Sequence, residues 1–281
     1  MSYIDLHTHT TASDGTDTPS MLVQNALRAN LSAIAITDHD TVSGVKEALL
    51  AAKHTPLTVI PGIELSCQYK GKEVHMLGYF IDIDKKPFLA KLEQLKQARE
   101  ARNEEMRTKL EAYHMPLTME QIRGNNPNTI ITRAHFARAL EEAGYVKNKE
   151  EAFQKYIGNG CPCYVLKPEF SCEDAISLIQ STGGVAVLAH PLLYKLSYKE
   201  LELLLAHLKE NGLIGVEVYH SSHNISNSQK LRELIRPYGL LPTGGSDYHG
   251  ANKENVHLGV GHGGLRVSHC LLDDLQKTRT I

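Results

Sequence analysis

The stretch Ile4-Asp5-Leu6-His7-Thr8-His9 decides the fold class, because an apolar run ends in two histidines one residue apart. On an extended backbone both imidazoles point to the same face, so one metal ion can use both. Further short apolar runs follow at 33–37, 58–64, 74–80, 185–189, 215–219 and 240–244. Segments of helical period separate most of them, which is typical of the βαβ units of a parallel sheet or barrel.

This rhythm breaks between about residues 85 and 170, where no strand pattern occurs. Residues 85–113 carry apolar side chains at helical spacing, and 132–143 and 149–157 have the pattern of two further helices. We therefore predict a barrel formed by residues 1–84 and 171–281, with an all-helical cap inserted at 85–170. Arg99, Arg102 and Arg107 on the long helix are interpreted as a solvated charged face, with a position beside the entrance of the site as the alternative.

The composition excludes several classes of protein. The chain has 281 residues, 30 of them basic and 32 acidic, and a balance so close to neutral argues against binding of long nucleic acid or membranes by bulk charge. It shows no signal-peptide pattern and no apolar run near the roughly 18 residues needed to cross a bilayer, so we expect a cytoplasmic protein. Five cysteines are odd in number and too few for a disulfide framework. P-loop, dinucleotide-binding and serine-hydrolase motifs are also absent.

Histidine is frequent, at 15 residues, and nearly every predicted strand ends in a side chain that can bind a metal. In a barrel these strand ends converge, and the catalytic groups gather there. Imidazole and carboxylate without a nearby thiolate favour Zn, Mn or Fe. Nine donors exceed the needs of one tetrahedral ion, so we predict two or three divalent ions with a bridging carboxylate such as Glu64. The candidate ligands are His7, His9, Asp14, His39, Glu64, His75, His190, Asp247 and His249.

The chain resembles the PHP (polymerase and histidinol phosphatase) family over nearly its whole length. The motifs that carry this resemblance are the two histidines of the amino-terminal stretch, Asp14-Gly15, Asp38-His39-Asp40, Ala189-His190-Pro191 and Asp247-Tyr248-His249. The resemblance implies an α/β fold, a distorted (β/α)7 barrel related to the amidohydrolases, with a trinuclear metal site. It also implies three ligand sets: His7, His9, Glu64 and Asp247 for the first metal; Glu64, His75 and His190 for the second; and Asp14, His39 and His249 for the third.

The insertion resembles the helical cap of stand-alone PHP phosphoesterases, a group that includes nucleoside 3′,5′-bisphosphate phosphatases. Thr132 has the pattern of an N-cap that places Arg133 and His135 in the first helical turn, where free N–H groups and the helix dipole favour an anion. An ordinary capped surface helix is the alternative. Lys167 and His223 are weaker candidates for the same substrate pocket. His220 is left out, because the family pattern places the useful histidine nearer position 223.

These observations predict a metal-dependent phosphatase acting on a small phosphorylated substrate, with Asp247 in proton transfer. The resemblance makes the 3′-phosphate of a nucleoside 3′,5′-bisphosphate the leading target, with release of a 5′-mononucleotide. Alternatives are 5′→3′ trimming of short 5′-phosphorylated RNA and hydrolysis of histidinol phosphate. C–N or lactone hydrolysis on the same architecture and a non-catalytic, metal-stabilised PHP module are rivals of other classes. The oligomeric state is not predicted.

Overall fold

The strands that the structure describes form one eight-stranded sheet in the order β7-β6-β5-β4-β3-β2-β1-β8. The structure is a computed structural model that describes residues 2–124, 126–127, 129–166 and 170–279. The strands are β1 Tyr3–Thr8, β2 Leu31–Ile36, β3 Thr58–Tyr69, β4 Lys72–Tyr79, β5 Val185–Leu188, β6 Gly215–His220, β7 Leu241–Gly245 and β8 Val267–Ser268.

The α-helices of the described residues alternate with these strands before residue 85 and after residue 171. Their bounds are α1 Pro19–Arg28, α2 Val45–Ala52, α3 Lys86–Ala112, α4 Met119–Arg123, α5 Arg133–Glu142, α6 Lys149–Ala152, α7 Cys172–Gln180, α8 Tyr198–Glu210, α9 Ile225–Ile235 and α10 Cys270–Lys277. None of these helices carries an apolar stretch long enough to cross a membrane.

The chain divides into two compact units. The barrel unit comprises Met1–Leu89 and Glu169–Ile281, and the helical unit comprises Ala90–Pro168. In the barrel unit, the apolar side of the sheet packs around residues such as Ile4, Leu77 and Val187. In the helical unit, a separate core forms around Phe136 and Leu140. Each unit therefore buries its own apolar side chains.

Strand β4 departs from the predicted parallel arrangement, because it pairs antiparallel with both β3 and β5. The connection from β3 to β4 is only Lys70-Gly71, and both residues have positive φ, 47° and 73°. A two-residue turn of this kind produces a hairpin, whereas a parallel crossover needs a dozen or more residues. β3 also runs five residues beyond Glu64, so this side chain lies within a strand and not at its end.

The sheet nearly closes into a barrel where the chain after β7 meets β1. The N–H of Asp247 donates to the carbonyl of His7 at 2.9 Å, and the N–H of His9 donates to the carbonyl of Tyr248 at 2.9 Å. At Gly245 the two backbones approach so closely that an added Cβ would lie 2.3 Å from the amide nitrogen of His7. Only glycine fits at this contact.

The arginines of the long helix α3 differ from the sequence interpretation. Arg99 and Arg102 are buried, each 4% exposed, whereas Arg107 pairs with two acidic neighbours on the helix, Glu104 and Glu111. The interpretation as a solvated face was therefore wrong for Arg99 and Arg102. Their spacing of three residues places both on one side of a helix, and the sequence pattern did not show that this side is covered.

The glycine at the barrel contact provides a test of closure. Gly245→Ala should lower the free energy of unfolding by about 1–3 kcal/mol or more, because the new methyl group collides with backbone and not with a movable side chain. Gly264→Ala is the matched control, since nothing lies within 4 Å of the place that its new methyl group would occupy, and we expect a change within about 0.5 kcal/mol. Urea denaturation followed by circular dichroism measures both; equal stability of the two variants would contradict the described contact.

Candidate metal centre

His7, in β1, and His9, just after it, lie side by side at the centre of the site, and both are fully buried. The Nδ1 of His7 lies 3.0 Å from Oε1 of Glu217, a buried carboxylate on β6. If Nδ1 donates its proton to this carboxylate, Nε2 of His7 stays available as a metal ligand. The same arrangement, in which a carboxylate orients a ligating imidazole, occurs in many metal sites. Glu217 was not among the sequence candidates, and its only signal was its place on a predicted strand.

Glu64 is the hub of the centre, because five imidazoles surround its carboxylate. Its Oε1 lies 2.8 Å from Nδ1 of His75 and 2.9 Å from Nε2 of His190. Its Oε2 faces the other three rings at 3.0–3.4 Å, namely those of His7, His9 and His39. Glu64 and His75 come together because the β3–β4 hairpin pairs Ser66 with His75 and leaves Glu64 diagonal to it.

Two aspartates extend the cluster on either side of His9. Asp14 lies 3.2 Å from Nε2 of His249 and 3.7 Å from Nε2 of His39. Asp247 lies 3.4 Å from Nε2 of His9, and its backbone adopts a left-handed conformation with φ of 57° at the barrel contact. A bend of this kind in a non-glycine residue is uncommon, and here it places the carboxylate in the cluster.

In the part of the chain that the structure describes, side chains that can bind a metal form four groups, and the ligand atoms of each group lie within 4.8 Å of one another. Every one of the nine sequence candidates belongs to at least one group. The groups are His9, Asp14, His39 and His249; His7, His220 and Asp247; His7, Glu64 and His190; and His39, Glu64 and His75.

Two further side chains that the sequence analysis did not select reach the metal centre. His220, which the family pattern excluded, has its Nε2 3.3 Å from Oδ2 of Asp247 and is buried. Its position at the end of β6 was the signal that could have found it, since most of the candidates were selected at the ends of predicted strands. The Nζ of Lys253 lies 2.5 Å from the same oxygen of Asp247, and the lysine side chain is 39% exposed. No metal-binding pattern includes a lysine, so only the fold could reveal it.

Other buried acids of the same motifs have a different role. Asp38 accepts hydrogen bonds from the N–H and hydroxyl of Thr10, both at 2.7 Å, and from the hydroxyl of Ser13 at 2.6 Å. Asp5 accepts from the N–H groups of Ser246 and Gly259. These carboxylates hold loops in place through hydrogen bonds to the backbone, and none belongs to a ligand group of the described residues.

The charges in the cluster shift the pKa values of its members. Burial raises the pKa of Glu64, but the imidazoles of His39, His75 and His7 outweigh this effect and hold it well below its ordinary value. Burial lowers the pKa of His9, yet Asp247 and Glu64 raise it to about 9. The carboxylates therefore remain ionised, and protons on neighbouring imidazoles balance them. A divalent cation could replace these protons, which couples metal binding to proton release.

The donor set fits divalent metal ions. His7 Nε2, His9 Nε2, His39 Nδ1 and Glu64 Oε2 are all buried and have no hydrogen-bond partner in the part of the chain that the structure describes. Buried polar atoms without partners are costly, and here they are neighbours in one cluster. None of the four groups contains a cysteine. Imidazole and carboxylate donors of this kind suit Zn, Mn or Fe.

The predicted substrate residues belong to different units of the chain: Arg133 and His135 lie in the helical unit, and His223 lies in the barrel unit. In the helical unit, the Arg133 guanidinium lies 5.4 Å from the ring centre of Tyr164 and 5.9 Å from that of Phe153. His135 is buried, and its Nδ1 accepts a hydrogen bond from the N–H of Thr132 at 3.1 Å, completing a capping box. Lys167 lies outside the described residues.

In the barrel unit, Nδ1 of His223 lies 2.9 Å from the carbonyl oxygen of Val218. Its ring centre is 5.2 Å from that of His220. Because the carbonyl accepts, Nδ1 carries the proton and holds the ring in place at the end of β6. Its neighbour His220 makes the contact with Asp247, so His223 lies one ring away from the cluster.

Comparison with known proteins gives consistent matches. The PHP domain family matches residues 5–221. A 3′,5′-nucleoside bisphosphate phosphatase of Chromobacterium violaceum is 33% identical over 270 residues, which is 96% of this chain and 92% of that protein. The 5′-3′ exoribonuclease Rnm of Escherichia coli strain K12 is 36% identical over 247 residues, or 87% of this chain and 84% of that protein. The solved structure of an amidohydrolase from Chromobacterium violaceum, with bound sulfate and no metal, has a TM-score of 0.85 at 33% identity and covers 92% of this chain and 90% of that chain.

The distinction between cluster acids and loop-holding acids can be tested by metal binding. Mn²⁺ at about 100 times its dissociation constant should stabilise the wild-type protein by about 2.7 kcal/mol. Glu64→Gln should lose most of this gain because it removes the shared negative charge, while Asp38→Asn, the control, should keep it despite a lower starting stability. Thermal unfolding with and without Mn²⁺, together with the amount of bound Mn per chain, measures both; an unchanged gain in Glu64→Gln would refute the central role of Glu64.

Proposed function

The chain belongs to the PHP domain family and is a metal-dependent phosphoesterase, and on this premise we propose that it removes the 3′-phosphate of nucleoside 3′,5′-bisphosphates to leave a 5′-mononucleotide. The observation that carries this proposal is the Glu64 hub with its five imidazoles, which collects enough donors for two or three divalent ions. The relative of this name, which aligns with 96% of the chain, supports the choice of substrate. Mn, Zn or Fe are the metals that the donors favour.

Bound divalent ions would supply positive charge to the phosphate oxygens and lower the pKa of a water from about 15.7 towards about 7. Asp247 accepts the proton of the attacking water in this proposal. Burial raises the pKa of Asp247, but Lys253 and the imidazoles of His7 and His249 outweigh burial and hold it well below its ordinary value. The carboxylate is therefore ionised at neutral pH, so it can accept a proton or bind a metal ion, and it does not serve as a proton donor.

Arg133 and His135 bind the second anionic group of the substrate in this proposal. Both lie in the first turn of α5, where the N–H groups and the helix dipole favour an anion. The flanking rings of Tyr164 and Phe153 restrict the guanidinium of Arg133, so less side-chain freedom is lost when an anion binds. The preference for a doubly phosphorylated substrate comes from this turn, whereas hydrolysis comes from the cluster.

A second candidate activity is the stepwise removal of nucleotides from the 5′ end of short RNA. The relative that carries the name exoribonuclease aligns with 87% of the chain at 36% identity. Both activities need a 5′-phosphate bound away from the cluster and a phosphate ester at it. They differ only in what the cleaved phosphate carries on its other side. In the bisphosphate this is a proton, and in RNA it is the next nucleotide.

A substrate panel tests the role of Arg133. Arg133→Gln should lower kcat/KM for adenosine 3′,5′-bisphosphate by about 10- to 100-fold, because a charge-assisted hydrogen bond contributes about 1.5–3 kcal/mol. The value for 3′-AMP should change less than about threefold. Arg138→Gln is the control on the same helix, since that guanidinium contacts the carbonyls of Gln121 and Ile122, and it should leave the ratio of the two substrates unchanged. A wild-type enzyme that prefers 3′-AMP would refute the second-anion role.

The capping box allows the two roles of His135 to be separated. Glutamine is the usual residue at this capping position, so His135→Gln should keep the helix start and stability while removing the imidazole. If His135 contacts substrate, KM for the bisphosphate rises about tenfold with Tm unchanged; His135→Ala should lower Tm as well. Unchanged kinetics in His135→Gln would show that the residue only caps the helix. Steady-state kinetics and thermal unfolding of the two variants provide the measurement.

A further inference from the structure

Lys253 reaches the candidate metal centre although it is not a metal ligand. It lies at the end of a short 3₁₀ helix that follows the last ligand candidates in the chain. The N–H of Ala251 in this helix donates to Oγ1 of Thr16 at 2.8 Å. The Nδ2 of Asn252 donates to the carbonyl oxygen of Asp14 at 2.7 Å. These bonds tie the helix to the loop that carries a predicted ligand, so the fold itself holds the backbone of Lys253 beside the centre.

The two carboxylate oxygens of Asp247 face different groups. Its Oδ1 lies 3.4–3.6 Å from ring nitrogens of three ligand candidates, namely His7, His9 and His249. Its Oδ2 lies 2.5 Å from Nζ of Lys253. The ammonium group therefore lies beside the cluster and leaves Oδ1 of Asp247 available to it.

The ammonium group of Lys253 has a hydrogen-bond donor to spare. Within the described part of the chain, its Nζ makes hydrogen bonds only to Asp247, to Oδ2 at 2.5 Å and to the carbonyl oxygen at 3.5 Å. An ammonium group carries three N–H donors, and a contact of 3.5 Å is long for a hydrogen bond. At least one N–H is therefore left for a ligand.

Solvent reaches Lys253 more readily than it reaches the cluster. The Lys253 side chain is 39% exposed, whereas the side chains of the nine ligand candidates are at most 19% exposed. An anion that comes from solvent can therefore contact the ammonium group while it binds at the cluster.

A simple counter-ion for Asp247 is the alternative role of Lys253. However, an imidazole faces each oxygen of this carboxylate: Nε2 of His9 lies 3.4 Å from Oδ1, and Nε2 of His220 lies 3.3 Å from Oδ2. Asp247 would thus keep partners on both sides without the lysine. A counter-ion role also gives no use to the spare N–H or to the exposure of the side chain.

We propose that Lys253 is a further catalytic residue, which binds an oxygen of the phosphate group that is cleaved at the metal centre. This proposal rests on the proposed function for the identity of the ester, but the contact itself needs only a phosphate group at the cluster. Lys253 keeps one N–H on Asp247 and donates another to the phosphate. Such charge-assisted hydrogen bonds are strong, and a positive charge held in advance beside oxygens that gather negative charge stabilises the transition state.

Binding of inorganic phosphate to the Mn²⁺-loaded protein tests this role without turnover. Lys253→Met keeps the length of the side chain and removes its charge, so it should weaken phosphate binding about tenfold. Lys46→Met is the matched control, because Nζ of Lys46 also lies 2.5 Å from an aspartate oxygen, that of Asp84, but on the protein surface. It should change phosphate affinity less than about twofold. Isothermal titration measures both variants, and equal phosphate affinity in wild type and Lys253→Met overturns the proposal.

The affinity for Mn²⁺ distinguishes phosphate binding from an effect through Asp247 alone. Loss of a positive charge next to this carboxylate favours a cation there, so Lys253→Met should bind Mn²⁺ at least as tightly as the wild type and in the same amount per chain. The expected changes thus have opposite signs, with Mn²⁺ binding kept or strengthened and phosphate binding weakened. A loss of bound Mn²⁺ together with phosphate binding overturns the proposal, because Lys253 would then act only by holding Asp247.

Hydrolysis then separates this proposal from the proposed function. Lys253→Met should lower kcat/KM by about 10- to 100-fold for both adenosine 3′,5′-bisphosphate and 3′-AMP, since both carry the phosphate that is cleaved. A fall confined to the bisphosphate would assign Lys253 to the second anionic group and overturn the proposal, while the proposed function stands. If the wild type hydrolyses neither compound but its phosphate binding still depends on Lys253, the proposed function fails and the phosphate contact of Lys253 is supported.

Discussion

A buried carboxylate surrounded by imidazoles, as Glu64 is, is stable in a protein interior only if positive charge lies beside it. Without a cation, protons on His9 and His75 supply that charge, and the carboxylates raise the pKa of each ring to about 9. A divalent ion can take over the same role at the same place. The geometry of the whole barrel end follows from this constraint, because four strands or the residues just after them must bring five imidazoles close to the carboxylate of Glu64. These strands are β1, β2, β4 and β5.

The loops that carry these side chains are held by acids that do not themselves join the cluster. Asp38 ties the segment after β1 to the end of β2, and Asp5 ties β1 to the residues after β7 and to Gly259. Each accepts at least one hydrogen bond from a backbone N–H group, and Asp38 also accepts from the hydroxyls of Thr10 and Ser13. The motifs are thus rich in acids for two reasons: some of these acids are candidate ligands, and others set the position of those ligands.

Much of the centre could be predicted from sequence, because strand ends meet at one end of a barrel and the chemistry of His, Asp and Glu restricts the function. The β4 orientation could not, since it depends on a turn of two residues whose φ values only the structure shows. His220 was omitted on a family pattern, although its position at the end of β6 matched that of most of the other candidates. Lys253 had no signal, because a lysine is no metal ligand. Glu217 had only its place on a predicted strand, and a buried glutamate there is recognised as an orienting residue only from its contact with His7.

The β3–β4 hairpin has one more consequence. Successive side chains of a strand alternate between its two faces, so sliding β4 by one residue along β3 would turn His75 away from Glu64. The Lys70-Gly71 turn lies six residues from Glu64 along the strand. It fixes the pairing of β3 with β4 and therefore decides whether His75 reaches the cluster. Relatives with a longer turn can keep the pair of Glu64 and His75 only if the extra residues lie in the loop and leave the pairing of Ser66 with His75 intact. A longer turn that shifts the strand pairing by an odd number of residues would lose this pair.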